Sequence, residues 1–396
     1  MLVRKDNLSK ILFLILMVDI LILPYFPFFA INTLFFLVFY DFLCDRKFIL
    51  DEKFLCFSLV FLVFALISTY LSYYSDNYNL GFFSENIKRF FQLLLCFVFY
   101  IYFYNFFRKN RSNKETLFLI RAFFICVFTW AVIYYFSLDN FLTLKGLFNR
   151  NDSFIDMYEG GENNLYRFSY IWTDPNNIAY AILGVFLFAI FNLKVSVVES
   201  FLYLAIVFFV CLLSMSTTAW LILFAIVMPC FFYNLNYKDL KTLLFVFSII
   251  VLFLIFGLKV ISNVLQSDVA LSSFERFESN NIGTESGNSR LEIWKKIFSY
   301  YGGDLYKYVF WGQGYQLHHN DQLIKPHNGF FLILFAYGFF ASILFMYVFF
   351  NFKLNKKYIF MIPFFLCFFI NVMIGELKLF LLYVFLLAFV RANAYK

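Results

Sequence analysis

The sequence predicts an all-α polytopic integral membrane protein with about twelve transmembrane helices, and three observations carry that prediction. The 396 residues are 63% hydrophobic and only 14% charged, too little charge to cover a soluble domain of that apolar content. Apolar runs of roughly 17–25 residues recur along the chain, the length at which a helix matches the hydrocarbon core of a bilayer. Lys and Arg gather in every second connector between those runs, as cytoplasmic loops do.

In chain order the apolar runs are roughly 9–23, 28–43, 54–72, 90–107, 117–137, 174–192, 199–214, 217–233, 242–258, 327–350, 358–374 and 377–391. The first is followed by many others and lacks a small-residue cleavage site, so it reads as a retained helix and not a removed signal peptide. Pro24 and Pro27 separate it from the second. The connectors "LVRKDNLSK", "DRKFILDEK", "FFRKNRSNKE", "NYKDLK" and "FKLNKK" hold the basic clusters. Both termini are therefore expected in the cytoplasm. The net charge of +7 is largely this topological asymmetry and calls for no nucleic-acid partner. All seven cysteines fall in or at the ends of apolar segments with no CxxC pair, against a disulfide framework or a zinc site.

The chain reads as one transmembrane domain, 1–396, that opens on its external side into two long polar segments, 138–173 and 259–326. Segments of that length usually carry function. Within the second, "SGNSRLEIWKKIFSYYG" places Ser289 three residues before Glu292, a capping-box pattern. Leu291, Trp294, Ile297 or Phe298, and Tyr301 share one face of the helix this predicts over about 289–301, and Glu292, Lys295 and Lys296 the other, an amphipathic element at the membrane surface or over a cavity. "WGQGYQ" (311–316) reads as a tight turn; a GxG without strand and helix context is no nucleotide site.

Several residues suit chemistry. Arg290 falls in the first turn of that helix, where backbone N–H groups already favour an anion and a guanidinium adds a bidentate fork for phosphate. The alternative is an interfacial arginine on lipid head groups. His327 in "KPHNG" follows Pro326 where the next apolar helix begins, and a neutral imidazole there can accept a hydroxyl proton near neutral pH. Equally, a histidine at that level can be a hydrogen-bonded interfacial residue. His318 and His319 with Asp321 match no standard ligand spacing, so no metal is expected. In "IWTDPNNIAYAIL", Asp174 and Pro175 read as N-cap and first helical residue, with Asn176 beside them. Arg167 reads either as an anion contact or as a snorkelling arginine. "LSMSTTAWL" is a hairpin in which Ser216 and Thr217 can satisfy backbone groups. Asp19 lies inside an apolar run, and Glu376 in "GELK" reads as solvated.

The order of "RFSYIWTDPNNIAYAIL", the hairpin "LSMSTTAWL", "NSRLEIWKKIF", "FWGQGYQ" and "PHNGFFLILFAYGFFA", over about 167–345, resembles the bacterial O-antigen polymerase and O-antigen ligase superfamily. The resemblance implies transfer of a sugar chain from an undecaprenyl-diphosphate-linked donor to a second glycan at the periplasmic face of the inner membrane. It implies no metal or other cofactor. Its functional arginine and histidine fall on Arg290 and His327. Many members carry Arg after the hairpin serine; here Thr217 follows Ser216, which leaves a phosphate contact to Arg167 or Arg150. Asp174, Asn176, Ser216, Thr217 and Asn328 would line the donor. Membrane lipids and both glycan substrates are the implied partners, and a chain-length regulator is left open. Polymerase is favoured over ligase by the idiosyncratic aromatic composition and the missing hairpin arginine. A non-enzymatic flippase of lipid-linked sugars is the reading from another class, disfavoured because the apolar runs are nearly free of charge.

Overall fold

The computed structural model describes residues 5–23, 49–74, 80–110, 113–147, 167–172, 174–214, 216–234, 293–299, 308–319, 322–323, 326, 328–351, 355–370 and 373–394. In these the chain forms helices α1 (Lys5–Leu21), α2 (Glu52–Leu71), α3 (Leu80–Asn110), α4 (Asn113–Phe136), α5 (Leu138–Leu147), α6 (Pro175–Asn192) and α7 (Val197–Ser214). They continue as α8 (Thr217–Asn234), α9 (293–299), α10 (Gly329–Tyr337), α11 (Phe339–Phe350), α12 (Met361–Ile370) and α13 (Leu377–Ala394). A two-residue antiparallel ladder pairs His318 with Leu323 and His319 with Gln322. The middle of α8 widens to a π-turn at Leu223–Val227. Pro229, after Met228, has no N–H to return to the preceding turn, which accounts for the shift in register.

Seven of these helices are long and apolar enough to cross a membrane: Glu52–Tyr74, Phe83–Lys109, Asn113–Phe136, Pro175–Asn192, Val197–Ser214, Thr217–Asn234 and Leu377–Ala394. α11 and α12 are shorter apolar helices. The expected spans 28–43 and 242–258 lie outside the described residues.

Two helices form the centre. α6 is buried from Pro175 through Ile190 except at Asn176, and α13 is buried from Leu377 through Val390. Aromatic rings fill the contact between α3 and α13: Phe107 meets Phe389 edge-on at 5.0 Å, and Phe103 meets Phe385 at 5.5 Å. Between helices in lipid the attraction is packing, because the tails outside are as apolar as the side chains. Interlocked rings supply that, at about 0.5–1.5 kcal/mol per well-placed pair. The outer helices accordingly expose apolar side chains, such as Val63 and Leu66 on α2 and Ile125 on α4.

The starts of α1, α2, α4 and α7 and the ends of α3, α6, α11 and α13 share one end of the bundle. There Asp51 caps α2 by accepting from Phe54 N and also accepts from Tyr100 Oη at 2.9 Å. Arg391 donates to the Val348 carbonyl at 2.7 Å. Glu199 holds Arg121 through two bonds of 2.8 and 2.9 Å.

The run 327–350, expected as one helix, is two. α10 stops at Gly338, whose φ of 99° is open to glycine and strained for other residues, and α11 begins beside it. The residues read as a tight turn are seated in this break. Gln313 N donates to Phe335 O at 2.9 Å, Gly314 N to Ala336 O at 3.0 Å, and Phe340 N to Val309 O at 3.3 Å. Ser68 of α2 completes the joint, its Oγ donating to Tyr337 O and accepting from Gly312 N. A Cβ on Gly312 would stand 2.2 Å from the Phe335 carbonyl oxygen, so only glycine lets the two backbones approach. Interrupted helices survive among apolar neighbours only where the freed backbone groups find protein partners, as they do here. In the segment 138–173, expected as an external loop, Leu138–Leu147 is helical.

Candidate functional site

The end of the bundle opposite Asp51 and Arg391 carries the irregular backbone. It begins with the strap 167–172, which leads into the Asp174–Pro175 start of α6. Asp174 is extended (φ −98°, ψ 124°) and accepts from Asn176 N at 2.7 Å, the N-cap geometry expected of the Asp-Pro pair. Ser216 caps α8 in the same manner, accepting from Ala219 N at 3.4 Å, and Thr217 is its first helical residue.

Arg167 ties these starts together. Its Nε donates to the Ser214 carbonyl at 2.8 Å and its Nη2 to Asn176 Oδ1 at 3.1 Å. Both acceptors are carbonyl oxygens, and the two bonds fix the orientation of the guanidinium. Beside it Phe168 N bonds Leu213 O at 3.1 Å. Arg167, Asp174 and Asn176 therefore stand together at the α7–α8 hairpin that carries Ser216 and Thr217.

The strap is strained. Tyr170 has φ 53°, a left-handed conformation costing a non-glycine residue about 1–3 kcal/mol. Its hydroxyl donates to Leu21 O at 2.8 Å. Lys145 of α5 donates to Ser169 Oγ and, at 3.0 Å, to the Trp172 carbonyl. Burial pushes the Lys145 ammonium down to about 7, opposed by the field of Glu376. Glu376, expected to be solvated, is only 8% exposed. It precedes α13, and its carbonyl accepts the Phe380 N–H, so the turn that holds it is folded into the helix start. Asp19 is buried as well, paired with Lys378 at 3.2 Å. That Nζ also donates to the Asp19 and Leu23 carbonyls, so this ion pair fastens the end of α1 to α13.

A second cluster lies at the start of α10. Asn328 is the N-cap, 5% exposed, accepting from Phe331 N at 3.0 Å. α9 falls inside the helix expected over 289–301: Ile297 is buried and Lys295 and Lys296 are exposed, while Phe298, the alternative for the inner face, is 41% exposed. Trp294 Nε1 donates to the Pro326 carbonyl at 2.9 Å, and the Trp294 and Phe298 rings meet Phe331 edge-on. α9 is therefore fastened to the residues on either side of position 327.

The two clusters flank α12. Cys367 Sγ reaches Asn177 Oδ1 on α6 at 3.7 Å, and the neighbouring Phe368 packs so closely on Gly329 of α10 that a Cβ there would stand 2.6 Å from its ring. Arg150, Arg290 and His327 lie outside the described residues. Sequence reasoning passed over Lys145 and Ser169. The available signal was a lysine inside the otherwise mostly apolar "LDNFLTLKGL".

Residues 202–346 match the family model described as O-Antigen ligase, which supports the O-antigen ligase/polymerase superfamily. The matched stretch contains Ser216, Thr217, Arg290, His327 and Asn328, and it begins after Arg150, Arg167, Asp174 and Asn176. No curated protein matches the chain.

Proposed function

We propose, from this superfamily as premise, that the chain polymerises undecaprenyl-diphosphate-linked oligosaccharide repeat units into O-antigen or a related surface polysaccharide. It does so as a multi-pass protein of the bacterial inner membrane, both termini cytoplasmic and the site facing the periplasm. The observation that carries the glycosyl-transfer reading is the family match, which covers the hairpin, α9 and the start of α10, and the Thr217 that stands in place of a hairpin arginine favours polymerisation. The gathering of Arg167, Asn176 and the hairpin carbonyl at the same end of the bundle supports it.

The chemistry is an inverting displacement without a metal. His327 takes the proton of the acceptor hydroxyl as that oxygen forms its bond to the anomeric carbon. The bond from that carbon to the diphosphate oxygen breaks, and its electron pair leaves with the diphosphate. Arg290 and Arg167, with Arg150 as a further cation, offset the charge that grows there. Asp174, Asn176, Ser216, Thr217 and Asn328 shape the wall by holding the helix starts. The second reading is ligation of finished polymer to a lipid A–core acceptor, favoured by the description of the matching family as O-Antigen ligase.

A deletion strain separates the two. Loss of the polysaccharide ladder with one repeat unit still on the core is the polymerase result. Uncapped core with lipid-linked polymer accumulating is the ligase result, and an unchanged ladder overturns both.

A further inference from the structure

Tyr170 would not choose its left-handed backbone conformation unaided, and Lys145 grips the strap on both sides of it. The ammonium donates to Ser169 Oγ before Tyr170 and to the Trp172 carbonyl after it, with the Phe141 ring 5.5 Å away. Lys145 is 9% exposed, Ser169 1% and Trp172 not at all. A lysine buried this way gives up the hydration of its ammonium, a loss that leucine or methionine in the same space would not incur. Two of the ammonium's three donors go to the strap. Glu376, from the turn before α13, supplies the favourable field that keeps the charge tolerable there.

The grip has a consequence two residues away in each direction. Arg167 stands two positions before Ser169, and Asp174 two after Trp172. From there Arg167 reaches the Ser214 carbonyl and Asn176, and Asp174 caps α6. α5, the strap, the start of α6 and the end of α7 form one hydrogen-bonded chain with Lys145 at its base.

We infer that Lys145 is a positioning residue for Arg167: by clamping the strap on either side of Tyr170 it sets where the guanidinium meets the donor's diphosphate. This rests on the proposed glycosyl transfer. Lys145 touches no substrate and acts through Arg167.

The test is a double-mutant cycle in membranes, with the lipid-diphosphate-linked repeat unit extracted from the deletion strain as donor. Lys145→Met is expected to lower kcat about 10- to 100-fold with KM little changed, the cost of a misplaced catalytic group. In an Arg167→Ala background the same change is expected to cost less than about 3-fold, because the group it positions is already gone. Ser169→Ala, which keeps the ammonium and removes one acceptor, carries the cycle if Lys145→Met is not recovered in the membrane; a smaller, equally non-additive loss is expected. Additive losses, or a fall in folded protein with unchanged turnover per folded molecule, overturn the inference and leave the proposed reaction standing. Arg167→Ala turning over at the wild-type rate also overturns it, whereas His327→Ala doing so overturns the reaction itself.

Discussion

The two ends of this helical bundle handle charge in opposite ways. At one, Arg121 meets Glu199 at 2.8 Å with half its side chain exposed, and Lys10 meets Glu115 at 3.1 Å. Regular helix starts and ends surround these pairs. At the other, Lys145 and Glu376 are nearly buried, Arg167 is half-buried, Tyr170 is strained and α10 is interrupted at Gly338. Exposed pairs are held by geometry that water can replace and add little. Buried cations and strained backbone are costly and persist where the surrounding structure over-determines them, which is typical of functional sites. The contrast teaches that a charge kept near water is cheap to hold, whereas beside the strap Lys145, and the Asp19–Lys378 pair that fastens α1 to α13, are held buried at a cost.

Variants at both ends break or sharpen that contrast. The largest effect is expected at the proposed catalytic pair: His327→Ala and Arg290→Ala should each abolish the polysaccharide ladder while immunoblots show normal protein in the membrane. A normal ladder from either removes it from the reaction. Next, Gly338→Val should destabilise the fold by about 3 kcal/mol, from the left-handed φ and the approach to the Phe310 backbone, seen as a lower melting temperature in detergent. Unchanged melting would mean that the joint between α10 and α11 carries no strain. The smallest effect belongs to the other end. Arg121→Ala should cost less than about 1 kcal/mol and leave the ladder intact. A lost ladder there would erase the distinction between the two ends.

Much of this was legible in the residues because it is local. Asp174–Pro175 and Asn328 cap their helices as their types require, and Trp294 and Ile297 mark the inner face of α9. Hydropathy located the long helices, since a run such as 199–214 needs only its own composition to read as a span. What stayed hidden depends on distant partners. Gly338 inside "LFAYGFFA" looks like any small residue in an apolar helix, and its break exists because Gln313, Gly314 and Ser68 satisfy the freed carbonyls. Glu376 in a short polar connector looks solvated until α13 and its neighbours close around it. The apolar company of Lys145 hints at burial, but its acceptors lie 24 and 27 residues away and cannot be read locally.

The broken helix also sets an order of assembly. When α10 and α11 enter the bilayer, the carbonyls of Phe335, Ala336 and Tyr337 need donors that their own helix does not supply at the interruption. Ser68 is already in place, having been made some 270 residues earlier. Gln313 and Gly314 precede the helix pair and must fold back onto it. The joint closes only when residues 309–314 lie on the same side as the interruption. A chain that kept the two apart would leave these carbonyls unpaired among apolar neighbours.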